Sequence, residues 1–171
     1  MGVAICYVLA QVCGATAAAA GVLATFRPAI EAFELSHQIQ RGTALGISSA
    51  PGCMFYTQCL GGITSGVTAC ILEAVQQAVL TFVILSVTHK ESNAGRSAPA
   101  LIGLTVSMLI CVFGPLTAAG INPARDLGPR IVAVAAGWGT YAFKHCWVYA
   151  IGPLIGTIVG GAVHRELYDA R

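Results

Sequence analysis

From Gly2 to Phe26 the chain carries no charged side chain, and apolar runs of bilayer length recur near residues 65–88, 98–117 and 147–164. No other feature limits the fold as strongly. A helix built from such a run has no polar face to turn to water. In a bilayer it satisfies its own backbone hydrogen bonds, and about 20 apolar residues cross the hydrocarbon core.

Composition agrees. Of 171 residues, 56% are hydrophobic and 9% charged, and the mean hydropathy is +0.76. Soluble domains carry about 25% charged residues. Nine Lys/Arg and seven Asp/Glu cannot cover a water-facing surface, which excludes an ordinary soluble enzyme or a disordered tail. A nucleic-acid partner is excluded too, because no basic stripe is present. The net charge of +2 selects no charged partner. The length suits one domain of four or five spans.

The pattern predicts spans over 2–26, 65–88, 98–117 and 147–164, the first ended by Arg27-Pro28. Small residues one turn apart, Gly14 with Ala18 and Ala17 with Gly21, offer close helix packing, as does the stripe Gly152, Gly156, Gly160. Residues 27–64 read as a long connecting loop with room for a short helix; loops of this length are functional or disordered. Lys and Arg are balanced between the two sides, so charge does not orient the chain. The N-terminus has no basic region and no cleavage site, so no signal peptide is expected.

Seven cysteines form no CxxC pair and no metal-ligand spacing, and most lie in apolar runs, where they act as small hydrophobes. Cys53 and Cys59 share the loop, which leaves a disulfide between them open. His37, His89, His145 and His164 are scattered in loops or at helix ends and read as surface or interface residues. No metal and no cofactor is expected. Trp138, Tyr141, Trp147 and Tyr149 fit an aromatic belt at one membrane interface, with Tyr141 and Tyr149 also suited to internal packing.

Between the third and fourth spans lies the informative stretch, Asn122-Pro123-Ala124-Arg125-Asp126. Pro is favoured at the first helical position and Asn just before it as a cap. A helix therefore starts at Pro123, and the apolar segment 123–135 is too short to cross, which suits a re-entrant half-helix. Its N-terminus carries about half a positive charge. Placed at membrane depth, that end offers donors to a water or alcohol oxygen and repels cations and protons. Arg125 is read as lining a pore. Ionisable residues inside a membrane segment are functional candidates, but Asp126 is read as a structural ion-pair residue.

The run Gly120-Ile121-Asn122-Pro123-Ala124-Arg125-Asp126-Leu127-Gly128-Pro129-Arg130 resembles the second Asn-Pro-Ala signature of the aquaporins and aquaglyceroporins, the major intrinsic proteins. The likeness extends to Tyr7-Val8-Leu9-Ala10-Gln11, Gly114-Pro115-Leu116-Thr117, Ala136-Gly137-Trp138-Gly139 and Trp147-Val148-Tyr149, covering nearly the whole chain apart from the loop. It implies an all-α membrane protein, an aquaporin-like bundle of four transmembrane helices and one re-entrant half-helix. The spans then correspond to the family's third to sixth helices, with 27–64 as an extracellular loop. The first two helices and the first half-helix are expected to be missing, since Ala50-Pro51-Gly52 lacks the Asn.

The resemblance assigns Asn122, Pro123 and Ala124 to the pore, and Arg125, Ile110 and Ala119 to the selectivity filter. Glu73 would hold the re-entrant loop and Asp126 support it. Ile110 and Ala119 are neither polar nor bulky, which implies a wider, more apolar constriction than a water-only filter. The Gln76-Gln77 pair departs from the less polar family pattern. The implied function is a passive channel for water and small neutral solutes such as glycerol, not an enzyme, sited in the lipid bilayer as a multi-pass protein and homotetrameric if complete. Two other readings stand beside it: a non-conducting membrane fragment or a subunit needing a partner chain, and a remnant of a secondary transporter.

Overall fold

The computed structural model describes residues 2–50 and 65–168. Cys53 and Cys59 lie outside these residues. The described chain is α-helical: α1 (Gly2–Ser36), α2 (Gly66–Thr88), α3 (Ala98–Thr117), α4 (Pro123–Ala133) and α5 (Cys146–Tyr168). Four helices are long and apolar enough to cross a membrane, α1, α2, α3 with its preceding turn, and α5. Large apolar side chains such as Val3, Leu104 and Ile158 stand exposed along them. This is the surface of an integral membrane protein, in which lipid rather than water meets the apolar exterior.

α1 does not stop at Arg27-Pro28. It runs through Pro28 to Ser36. Proline lacks an N–H, so it removes one rung of the helix ladder without removing the rest. Arg27 and Glu31, one turn apart, pair at 2.8 Å across it.

The two tightest packings are made at glycines. On α5, a Cβ at Gly152 would stand 2.8 Å from the Cys70 carbonyl, and one at Gly156 or Gly160 would collide with the carbonyls of Ala74 and Ala78. The α5 stripe therefore lies directly on the α2 backbone. On α4, a Cβ at Gly128 would be 2.6 Å from that of Ala15 on α1. The small-residue pairs of α1 do not serve this purpose: Gly14 and Gly21 face open space. Ala15 and Thr16, on a neighbouring face of the helix, receive α4 instead.

A second cluster ties the segment after α1 to the segment after α4. A 3-10 turn at Gly46–Ser49 packs Ile47 and Ala50 against Ala133, Trp138 and Ala142. Trp138 is 1% exposed, and its indole N–H donates to the Gly46 carbonyl (2.9 Å) and Ser49 Oγ (3.1 Å). It is therefore a core residue and not part of an interfacial belt. Arg41 lies over its ring at 4.0 Å, donates to the Ala136 carbonyl at 3.0 Å, and pairs with Glu34 at 2.9 Å. His164 is also buried, stacked on Tyr168 at 4.6 Å, rather than at the surface.

Candidate functional site

α4 is short, 11 residues or about 16 Å at the α-helical rise. Asn122 caps it with φ −146°, its Oδ1 accepting from Ala124 N at 2.9 Å and Arg125 N at 3.4 Å. Pro123 takes the first helical position, where its missing N–H costs nothing. After Ala133 the helix widens into a turn over Val134–Trp138, which Gly137 ends at φ +99°.

The approach to this helix is strained. Ala118, Ala119 and Ile121 all have φ between +46° and +62°, a region that costs a non-glycine residue about 1–2 kcal/mol. Side chains from two helices hold the segment there. Glu73 on α2, fully buried, accepts from Gly120 N (3.0 Å) and Ile121 N (2.6 Å). Gln76, one turn further, donates to Thr117 Oγ1 at 3.2 Å, and Tyr149 on α5 donates to the Thr117 carbonyl at 2.9 Å. Gly120 must be glycine for packing reasons, since a Cβ there would stand 2.6 Å from the Tyr149 ring.

With its N–H groups turned to Glu73, the segment turns carbonyls the other way. Arg125 Nη1 donates to the carbonyls of Ala119 (2.5 Å) and Gly120 (3.1 Å). This pins the guanidinium beside the half-helix N-terminus. Asn122 and Arg125 are both exposed. They line a cleft of about 470 Å³ together with Gln11, Ile110, Pro123 and, on α2 and α5, Gln77, Pro153 and Thr157. A second cleft of about 580 Å³, against α1, is lined by Asn122, Ala124, Arg125 and Gln11.

Asp126 turns the opposite way. It is 3% exposed and pairs with Arg130 at 2.7 Å, itself 1% exposed. Arg130 also donates to the carbonyls of Ala142 and Lys144 (3.1 Å to the latter) and lies near the Tyr149 ring. The pair braces the half-helix against the segment that leads into α5.

The sequence-derived site residues thus divide. Asn122, Pro123, Arg125 and Ile110 come together on one cleft, and Ala124 lies at the edge of the other. Glu73 and Asp126 sit behind the wall. Ala119 lines neither cleft: its side chain is fully buried, and its carbonyl is what reaches Arg125. Sequence reasoning missed Gln76 as the latch on Thr117, Gln77 and Thr157 as cleft residues, and Arg130 as the partner of Asp126. The Asp126/Arg130 spacing, one turn within a helix, was a readable signal.

Membrane-length helices around a capped half-helix, whose exposed N-terminus puts polar donors on a largely apolar cleft, define a multi-pass membrane protein. Comparison with known proteins makes the assignment specific: the chain belongs to the major intrinsic protein family, whose model matches residues 2–164. It is 35% identical over 169 residues to the glycerol uptake facilitator protein of Escherichia coli (strain K12), covering 94% of this chain and 59% of that protein. It is 34% identical to the glycerol uptake facilitator protein of Pseudomonas aeruginosa (94% and 60% covered) and 32% identical to a propanediol uptake facilitator of Citrobacter freundii (94% and 62%). The chain therefore spans about three-fifths of the length of these curated relatives. The aquaglyceroporin of Plasmodium falciparum shares the fold, with a TM-score of 0.66 at 22% identity over 95% of this chain and 62% of that one.

Proposed function

We propose that the chain forms one wall of a passive conduit for water and small neutral solutes such as glycerol. The observation that carries this reading is the exposure of Asn122 and Arg125 at the N-terminus of a half-helix, on a cleft otherwise lined largely by apolar side chains. The end of the helix dipole and the Arg125 charge repel cations and protons, and their N–H groups give an oxygen-bearing solute donors in place of water. Arg125, Asn122 and Ile110 form the constriction, with the Ala119 and Gly120 carbonyls positioning Arg125. Glu73, Asp126 and Arg130 hold the half-helix at its depth. The relatives named as uptake facilitators for glycerol and propanediol point to the same solute class.

Asn122 and Arg125 stay exposed in the cleft. A second wall completes it, either further sequence of the same protein or another chain, and assembly as a homotetramer belongs to that completed form.

The test is flux in proteoliposomes, by stopped-flow light scattering under glycerol and impermeant-osmolyte gradients. The reading expects glycerol and water to move down their own gradients, independent of ion or proton gradients. Flux that needs such a gradient would favour a coupled transporter, and insertion without flux would favour a non-conducting piece. Arg125→Val in the conducting form is expected to raise proton or cation leak; unchanged exclusion would remove Arg125 from the filter.

A further inference from the structure

One turn beyond Glu73 on α2, about 6 Å along the helix axis, Gln77 lies on the wall of the cleft of about 470 Å³. Its Nε2 donates to Thr81 Oγ1 on its own helix (3.1 Å) and to Thr157 Oγ1 across the helix pair (3.2 Å). Thr157 in turn donates its hydroxyl hydrogen to the Pro153 carbonyl at 2.9 Å. The Thr157 oxygen therefore acts as an acceptor toward Gln77, and this fixes which end of the carboxamide faces it. Both N–H groups of Gln77 are engaged and its carbonyl oxygen is buried, while the hydroxyl oxygen of the exposed Thr157 keeps a lone pair for a further donor. The neighbouring wall, Leu80, Ile84 and Leu154, is apolar.

Gln77 and Thr157 thus interrupt an otherwise apolar stretch of that wall. The close approach of α5 to α2 at Gly156, where an added Cβ would lie 2.8 Å from that of Gln77, brings Thr157 within reach of it. We infer that Gln77 and Thr157 form a second polar station of the conduit, which favours small polyols over water. This inference rests on the conduit reading above. A polyol carries several hydroxyls and loses several water hydrogen bonds on entering, so each replacement matters more to it than to a single water. The remaining lone pair of the Thr157 hydroxyl oxygen accepts a hydroxyl, and the apolar flank receives the carbon skeleton.

The experiment compares the parent chain with Thr157→Val, Thr157→Ser and Gln77→Met, reading glycerol and water permeability in the same proteoliposomes. Thr157→Val keeps the shape and removes the hydroxyl, so insertion and folding are preserved. Both Thr157→Val and Gln77→Met are expected to lower the glycerol-to-water ratio about fivefold, the effect of losing one modest hydrogen bond. Thr157→Ser, which keeps the hydroxyl, is expected to hold the parent ratio. A parent ratio retained in Thr157→Val, or lost equally in Thr157→Ser, overturns the station while leaving the conduit in place. A completed form, second wall included, with no flux above empty vesicles overturns the conduit reading and the station with it.

Discussion

The Glu73 carboxylate lies 2.6 Å from the backbone N–H of Ile121, 48 residues further along the chain. The same group takes the N–H of Gly120, and those two bonds turn the Ala119 and Gly120 carbonyls toward Arg125. A buried acid on one helix thus sets the position of a cation on another element.

Glu73→Gln is expected to disturb both ends of that chain of contacts. The carboxamide has one acceptor oxygen where the carboxylate has two, so one buried N–H loses its partner. Losing a charge-assisted bond costs about 1.5–3 kcal/mol. Thermal unfolding in detergent should show a lowered Tm, and solute flux should fall. An unchanged Tm and flux would mean that the loop holds its strained shape without the acid.

Asp126 and Arg130 are buried together, so removing one leaves the other uncompensated. Asp126→Ala is expected to destabilise by about 3–5 kcal/mol. The double variant Asp126→Leu with Arg130→Met, which removes both charges and keeps volume, is expected to recover part of that loss. A double-mutant cycle on thermal stability reads the coupling; strict additivity of the two single changes would refute the pair as a unit.

Gly156→Leu and Gly128→Ile each insert a side chain where helix backbones touch. Overpacking of this kind costs about 1–3 kcal/mol and more where backbone must move. Gly14→Leu and Gly21→Leu, at positions facing open space among the described residues, are expected to leave the unfolding free energy within about 0.5 kcal/mol of the parent. The contrast tests which small residues are contacts.

Ile110→His narrows the cleft and adds a polar group beside Arg125, so glycerol flux is expected to fall relative to water. Ala119→Cys is expected to leave that ratio alone, because the Ala119 side chain is buried away from the cleft. A ratio that rises in Ile110→His would remove that residue from the constriction.

Trp138→Phe keeps the ring contact under Arg41 but deletes the indole N–H bonds to Gly46 and Ser49. A loss of about 0.5–1.5 kcal/mol is expected from the lost bonds, since the Gly46 carbonyl still accepts from Ser49 Oγ. Amide hydrogen exchange across residues 46–49 should quicken while α2 and α5 stay protected. Uniform exchange across the chain would show that the latch is not a local unit.

The local features of this protein were legible before any contact was known. Apolar runs mark the four membrane-length helices, and Asn122-Pro123 marks a capped helix start, because periodicity and capping depend on residues at most a turn apart. The polar positions Glu73, Asn122 and Arg125 stood out because an ionisable or amide group in apolar sequence demands a partner. What completes those demands was decided only by tertiary structure. Gly152, Gly156 and Gly160 announce a packing face, but Gly14 and Gly21 on α1 meet nothing among the described residues, since a stripe does not name the helix that meets it. Arg41 and the Ala136 carbonyl are 95 residues apart, and Trp138 and Gly46 are 92 apart. Pairings at such separations follow from the path of the whole chain. The burial of Ala119 has the same origin: its position beside the signature is a matter of sequence, while the strained backbone held by Glu73 decides that its carbonyl, and not its side chain, meets Arg125.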